Sequence, residues 1–255
     1  MALKQVVGGQ LHDAAMAHIV DFLRAPADSP TSWSTGVGAL DDVAQFHPGR
    51  IWVVTGVGAA QLLCQWAYDL AVATGLEVSF IGSAAQPESA YRHWFGRNVA
   101  AHGHLLGEPP LSTAKLEVVR GDPNHLVDAW LVGDGDAPGV IVAETAGCSC
   151  AVTDWFRPLL GAGRLVIVAV PRDCCFEWHP SVVHPIEPRG AWALVADVLL
   201  ELRPGDHGFV DLTVHENRDG RTGETKARFS PNTGRFHDLS QADLGGLSVP
   251  LPGLR

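Results

Sequence analysis

Hydrophobic and polar positions follow two different periods along most of the chain. Short runs that are apolar at nearly every position predict strands covered on both faces of a sheet. These runs are residues 51–55, 77–81, 116–120, 140–144, 165–170 and 197–202. Stretches with helical spacing lie between them, at about 61–74, 87–99, 124–131, 153–160 and 192–196. Strands that alternate with helices predict an α/β fold with a mostly parallel, doubly wound sheet.

Three segments outside this alternation predict the domain organisation. Residues 11–23 have apolar side chains at helical spacing, which predicts an amphipathic helix, and the linker APADSPTSW follows it. After Pro204, residues 209–215 and 225–229 flank the polar stretch ENRDGRTGE and predict an antiparallel hairpin at the edge of the sheet. The expected organisation is a helix and linker in 1–33, one domain in 34–239 and a flexible tail in 240–255.

Composition and charge restrict the classes of function. The 255 residues are 46% hydrophobic, enough for one large core. The net charge of −10 argues against non-specific wrapping of nucleic acid, which needs many contacts from Lys and Arg to phosphate. No apolar run has the length of a membrane span, and the first residues lack the apolar core of a signal peptide. We therefore expect a cytoplasmic protein with no membrane partner.

The five cysteines are an odd number, and without a secretory signal they do not predict a disulfide framework. Four of them form two local pairs after predicted strands: Cys148, Cys150, Cys174 and Cys175. With His179 and His184 nearby, these soft ligands could surround Zn²⁺. The spacing is not that of a C-x-x-C pair, so ordinary thiols are the expectation, with a metal site and a redox pair as alternatives.

The stretch RIWVVTGVGAAQLL, residues 50–63, carries the candidate chemistry. A buried strand that turns through small residues into a helix near residue 61 is the usual phosphate cradle of nucleotide-binding α/β proteins. Its candidate nucleotide-binding residues are Gly56, Val57, Gly58, Ala59, Ala60 and Gln61. Such a loop normally ends in Gly, Lys and Ser or Thr, and those slots hold Gln61, Leu62 and Leu63. The two leucines cannot neutralise a phosphate or hold Mg²⁺.

Further stretches carry a family resemblance when they are taken in order. They are Ser34-Thr35-Gly36 with Leu40-Asp41, Pro48-Gly49-Arg50, Arg189-Gly190-Ala191 through Ala196-Asp197-Val198, Glu216-Asn217-Arg218-Asp219-Gly220 with Thr222-Gly223, and Arg235-Phe236. Together they resemble the C-terminal motor domain of DnaB-type replicative helicases, a branch of the RecA-like ATPases, over residues 34–239. The resemblance implies a RecA-like P-loop fold with a C-terminal antiparallel hairpin.

The same resemblance assigns two further residues to a relic nucleotide site. Glu144 takes the place of the family's metal-supporting Asp, and Arg218 matches the arginine finger that reaches the nucleotide of the adjacent subunit. The companion Lys of that finger is replaced by Glu216. Arg218 is therefore either a remnant on a solvated hairpin or the partner of an acid across a subunit contact. The water-activating acid is expected at positions that carry no carboxylate: Ser83, Ala84 and Ala85.

The leading hypothesis is a non-catalytic binding or assembly protein linked to DNA replication or recombination, with no catalytic residue and no bound cofactor or metal. It would form a homo-oligomer through helix 11–23 and the C-terminal hairpin, or associate with a helicase or recombinase. The alternative is an ATP-dependent DnaB-type DNA helicase-like enzyme that uses ATP and Mg²⁺ and recruits Arg172 or Arg218 as the missing cation. DNA contact stays open, because the hairpin is the most basic local stretch.

Overall fold

A computed structural model of the protein describes residues 32–83, 85–106, 115–120, 139–145, 159–160, 163–176, 190–218 and 220–239. Several of the predictions made above lie outside these residues. They concern the helices at 11–23 and 124–131, most of the helix at 153–160, the tail at 240–255, Ala84, Cys148, Cys150, His179 and His184. In the described part of the chain, no helix is long and apolar enough to cross a membrane.

The described strands form one nine-stranded sheet in the order β3-β2-β4-β5-β1-β6-β7-β8-β9. They are β1 Ile51–Gly56, β2 Val78–Gly82, β3 Leu116–Arg120, β4 Val140–Glu144, β5 Leu165–Val170, β6 Val198–Pro204, β7 Phe209–Asn217, β8 Gly223–Ser230 and β9 Arg235–His237. The first six pair in parallel and the last three antiparallel. The predicted α/β sheet with a C-terminal antiparallel hairpin is confirmed.

The described helices are α1 Gly38–Asp41, α2 Ala59–Thr74 and α3 Glu88–Leu106, with short 3-10 turns at Arg172–Cys174 and Asp206–Gly208. The helix predicted at 192–196 is wrong, because residues 191–195 form turns. Their backbone is tied to the preceding loop: the amide of Trp192 donates to the carbonyl of Cys174 (3.3 Å), and that of Gly190 to the carbonyl of Cys175 (2.9 Å). Within the segment, the amides of Leu194 and Ala196 donate four residues back (3.3 and 3.1 Å) and that of Val195 three residues back (3.3 Å), and this short mixed pattern does not extend into a regular helix.

The core consists of two apolar layers, one on each face of the sheet. Alternate residues of β1 enter different layers, so that Trp52 packs with α2 and Val53 packs on the other face. The ring centroid of Phe46 lies 4.6 Å from that of Trp52 and 4.9 Å from that of Trp66. Trp52, Trp66 and Trp192 are fully buried, so these indoles serve the core and are not base-stacking surfaces.

The antiparallel end of the sheet is fastened to α2. The buried side chain of Gln65 accepts a hydrogen bond from the amide of Phe236 (2.8 Å) and donates one to its carbonyl (3.2 Å). Arg235 forms an ion pair with Asp69 at 2.5 Å. These contacts join β9 to the helix that follows β1. They also bring the Phe236 ring close to Gly58, where a Cβ atom would lie 3.0 Å from the ring.

We expect Gly56→Ala to destabilise the protein far more than Gly75→Ala. Both glycines have positive φ, +99° and +66°, but a Cβ at Gly56 would lie 2.0 Å from the carbonyl oxygen of Leu202 and a Cβ at Gly75 meets nothing within 4 Å. The control change costs about 1 kcal/mol of unfolding free energy, from backbone conformation alone. Gly56→Ala should lose about 2 kcal/mol or more of unfolding free energy beyond that, because the added Cβ overpacks against the backbone of Leu202. Chemical denaturation of both variants measures this difference, and equal losses would contradict the described approach of β1 to β6.

Candidate nucleotide site

A cleft of about 430 Å³ lies at the carboxyl ends of the parallel strands, where ligands bind in open α/β sheets. The start of α2 lines it together with Ser83, Ala85 and Glu144. The structure thus brings together the loop after β1, two of the positions expected for a water-activating acid, and the acid at the end of β4. Of the described lining residues, Glu144 is the one that carries a charge.

The loop after β1 is shorter than predicted. Only Val57 and Gly58 separate β1 from α2, which begins at Ala59 and not near residue 61. Gly58 is left-handed, with φ +85°, and stands at the N-cap of the helix. The amide of Val57 already donates to the carbonyl of Leu202 (3.2 Å). The amides left to face a ligand are those of the first helical turn, which have no acceptor within the helix.

The two slots that hold Lys and Ser or Thr in a working loop belong here to the core. Leu62 is 1% exposed and Leu63 is fully buried, and both lie in the apolar layer around Trp66. Packing of α2 against the sheet therefore depends on their aliphatic side chains. Neither side chain faces the cleft, so the two substitutions remove charge from the site and add apolar contact to the fold.

Glu144 at the end of β4 is held by a tyrosine from α3. The hydroxyl of Tyr91, a residue that is 2% exposed, donates to Glu144 Oε2 at 2.5 Å. Burial raises the pKa of Tyr91, and the hydrogen bond to Glu144 and the negative charge of that carboxylate raise it further. The phenol therefore stays protonated at neutral pH and donates permanently to one oxygen of Glu144.

The sequence gives almost no sign of this contact. Tyr91 and Glu144 are 53 positions apart. The one local signal is Gly82 at the end of β2, where a Cβ atom would lie 2.7 Å from the Tyr91 ring. A glycine at a strand end has many possible reasons, so this signal alone does not single out Tyr91.

Comparison with solved structures identifies the architecture. The chain superposes on a DnaB-like replicative helicase, in a structure described with its interactions with primase, with a TM-score of 0.61 and 13% identity over 89% of this chain and 67% of that one. It also superposes on the RadB recombinase, with a TM-score of 0.59 and 14% identity over 81% and 99% of the two chains. A third match is a solved ATPase domain (TM-score 0.59, 13% identity, 89% and 98% of the two chains). The chain has a RecA-like ATPase fold. No protein-family model and no curated protein sequence matches it.

The two arginines considered as replacements for the missing lysine form ion pairs outside the cleft of this RecA-like fold. Arg218 lies 2.6 Å from Asp197 at the amino end of β6, the sheet edge opposite the cleft. The acid that Arg218 pairs with in the described structure belongs to its own chain, and the arginine side chain is 59% exposed. Its interpretation as a remnant on a solvated hairpin or as a partner across a subunit contact stays a prediction. Arg172 follows β5 and donates through Nε to Glu201 at 2.6 Å. No described basic residue lines the cleft.

Glu201 forms a buried charge cluster beside β1. Its side chain accepts hydrogen bonds from Arg172 (2.6 Å), Arg203 (2.6 Å) and His215 (2.8 Å). Burial alone would raise the pKa of Glu201, but the hydrogen bonds from His215, Arg203 and Arg172 outweigh it and hold the pKa at about 2. The carboxylate is therefore ionised at neutral pH and keeps Arg172 away from the cleft.

The described cysteines do not form a metal site. Cys174 is disulfide-bonded, with its partner outside the described residues, so the expectation of an ordinary thiol is wrong at this position. Cys175 is a free, buried thiol whose pKa is raised to about 12 by burial and by the charge of Glu201. Among the described residues, no three His, Cys, Asp or Glu side chains stand close enough to share a metal ion.

We expect Glu201→Gln to destabilise the protein at neutral pH and to do so less in acid. The folded pKa of about 2 lies below the ordinary value of 4.5, so the contribution of Glu201 is complete above about pH 5 and is lost as the pH falls toward 2. The difference in unfolding free energy between wild type and variant should narrow by about 2 kcal/mol between pH 6 and pH 3. Urea denaturation at both pH values measures it, with the exposed Glu117→Gln as control. A difference that does not change with pH would contradict the cluster.

Proposed function

We propose that this protein is a non-catalytic member of the RecA-like fold that acts by binding other proteins in DNA replication or recombination. The observation that carries the proposal is the charge of the cleft. Its described lining holds one carboxylate, Glu144, and no cation. A nucleoside triphosphate is strongly anionic, and phosphoryl transfer depends on positive charge placed around its phosphates.

The free energy of the missing contacts to phosphate supports this proposal. A hydrogen bond to a charged group contributes about 1.5–3 kcal/mol, so each lost contact to a phosphate weakens binding by about one to two orders of magnitude. The lysine and hydroxyl slots are filled by the buried Leu62 and Leu63, and Arg172 and Arg218 are already paired within the chain. Nothing in the described lining replaces these contacts.

The hydrogen bond that Glu144 accepts supports the same proposal. A carboxylate that organises Mg²⁺ or its waters needs its oxygens to be available. The Tyr91 hydroxyl occupies Oε2 of Glu144 at 2.5 Å, and the phenol is buried. Metal binding there would need either loss of this hydrogen bond or use of the remaining oxygen alone. We infer that Glu144 joins β4 to α3 and that the cleft is a relic nucleotide site.

Two basic residues of the hairpin are paired within the chain, which weakens the case for DNA contact through them. Arg218 is paired with Asp197, and Lys226 lies 2.7 Å from Asp211 on the neighbouring strand. Charges compensated within the sheet contribute little to the attraction of phosphate. We propose assembly of a homo-oligomer through helix 11–23 and this hairpin, or association with a helicase or recombinase, in the cytoplasm. The solved structures described as a DnaB-like helicase and a recombinase support this assignment through their fold.

One observation favours a second candidate, an ATP-dependent helicase-like enzyme with a non-standard loop. The residues of the first turn of α2, Ala59, Ala60 and Gln61, line the cleft. Amides at a helix N-terminus are the groups that hold phosphates in such folds. This candidate would need a cation from outside the described residues, and it predicts turnover of ATP that depends on Glu144.

We expect no ATP hydrolysis by the purified protein. Phosphate release with Mg-ATP should equal the background without protein, because no described group stabilises the charge that develops in the transition state. Glu144→Gln should leave the rate unchanged, as should the exposed control Glu117→Gln. An ATPase with an intact phosphate loop serves as the positive control in the same assay. Hydrolysis above background that Glu144→Gln abolishes and Glu117→Gln leaves intact would establish the second candidate.

A further inference from the structure

The cleft of the relic nucleotide site contains a carboxylate and an indole that are both held by one tyrosine. Glu144 and Trp94 line the cleft. The Tyr91 hydroxyl donates to Glu144 Oε2 at 2.5 Å, and the ring centroids of Tyr91 and Trp94 lie 5.5 Å apart in an edge-to-face arrangement. The buried tyrosine therefore keeps these two side chains near each other. The proposed function assigns no ligand to them.

The negative charge of Glu144 is not compensated within the described part of the chain. Its one hydrogen bond among these residues comes from the neutral phenol of Tyr91, and none of their cations forms an ion pair with it. Its second oxygen, Oε1, accepts no hydrogen bond from them. Glu144 is only partly buried and lines the cleft, so Oε1 is available to a ligand.

Two further electric fields act on the cleft. The amino end of α2 carries about half a positive charge, which opposes the entry of a cation. This partial charge is smaller than the full negative charge of Glu144. The chain as a whole has a net charge of −10, which adds to the attraction of cations. The charges around the cleft therefore favour a cationic ligand over an anionic one.

The lining favours an organic cation over a metal ion. Mg²⁺ and Ca²⁺ bind several oxygen ligands, and no three His, Cys, Asp or Glu side chains of the described ranges stand close enough to share an ion. A guanidinium or ammonium group needs fewer acceptors and is also attracted to the face of an indole. Trp94 is partly buried at the cleft and supplies that face. The volume of about 430 Å³ is in the range of small-molecule pockets.

We propose that the cleft binds an organic cation, a guanidinium or alkylammonium group, through Glu144 Oε1 and the indole of Trp94. The Tyr91 hydroxyl stays on Oε2 and orients the carboxylate. This site rests on the proposed function in one respect only, that no nucleotide occupies the cleft. The cation can come from two sources, a free small molecule or a basic side chain of a protein partner.

The test is an NMR titration of the ¹⁵N-labelled full chain, observed at the indole N–H resonance of Trp94, which is identified by its loss in Trp94→Phe. Butylguanidinium is the probe, and butylurea, which has nearly the same shape and no charge, is its matched control. Sodium chloride keeps the ionic strength constant. The resonance should move saturably with butylguanidinium, and butylurea should bind about tenfold more weakly or less. The resonance of Trp66, which is fully buried and does not line the cleft, should stay in place.

A second probe distinguishes the two sources of the cation. It is the tripeptide Gly-Arg-Gly, acetylated at its amino end and amidated at its carboxyl end. Binding of the tripeptide about as tight as that of butylguanidinium assigns the cation to a side chain of a protein partner. Binding of butylguanidinium without binding of the tripeptide assigns it to a free small molecule. Both results support the site.

Glu144→Gln should weaken the binding of butylguanidinium by about tenfold or more, because it removes the charge. The amide oxygen of the variant can still accept the hydrogen bond from Tyr91. Glu117→Gln is the matched control and should leave the affinity unchanged, since Glu117 is exposed on β3 and does not line the cleft. If Glu144→Gln does not fold, the comparison of butylguanidinium with butylurea on the wild type tests the same charge.

Three results would overturn the proposed cation site. They are the lack of a saturable shift of the Trp94 resonance with butylguanidinium, equal affinity for butylurea, and unchanged affinity in a folded Glu144→Gln variant. The ATP hydrolysis assay described above tests the proposed function separately. Hydrolysis that depends on Glu144 would contradict the proposed function, whereas failure of butylguanidinium to bind would contradict the cation site alone.

Discussion

The burial of β1 on both faces is the constraint on which the rest of the structure depends. Val53 and Val54 are fully buried, and β1 pairs with β5 on one side and β6 on the other. At its end, Gly56 approaches the backbone of Leu202 so closely that no side chain fits. This packing fixes where α2 begins and therefore where the cleft lies. The position of the cleft thus follows from packing. The cleft would form at this place whether or not nucleotide-binding side chains line it.

Several charged groups of the described residues are paired within the chain. The Tyr91 hydroxyl holds Glu144, and Arg218 holds Asp197 at the opposite edge of the sheet. Pairs of this kind give a fold defined contacts, and they leave few groups free to act on a ligand. An architecture with its reactive positions committed to internal contacts is suited to presenting surfaces to other proteins. This is the physical basis on which we propose a binding or assembly protein.

The sequence was sufficient for most of the sheet and insufficient for the site. Strands such as Leu116–Arg120 and Leu165–Val170 match their predicted bounds, because apolar runs between polar turns are a local signal. The turns at 191–195 were mistaken for a helix, because they share its local hydrogen bonds, as from Leu194 to Gly190, but do not continue them into a regular helix. The contact of Tyr91 with Glu144 depends on the tertiary fold, which no spacing rule encodes.

The measurement that tests the central claim most directly is a thermal-shift titration of the full chain with ATP and ADP, with and without Mg²⁺. A ligand that binds the folded state raises the free energy of unfolding, by about 2.7 kcal/mol at a hundred times its dissociation constant. The melting temperature rises accordingly with ligand concentration. The account predicts a melting temperature that does not change at millimolar nucleotide. A saturable rise that depends on Mg²⁺ and is lost in Glu144→Gln would contradict it.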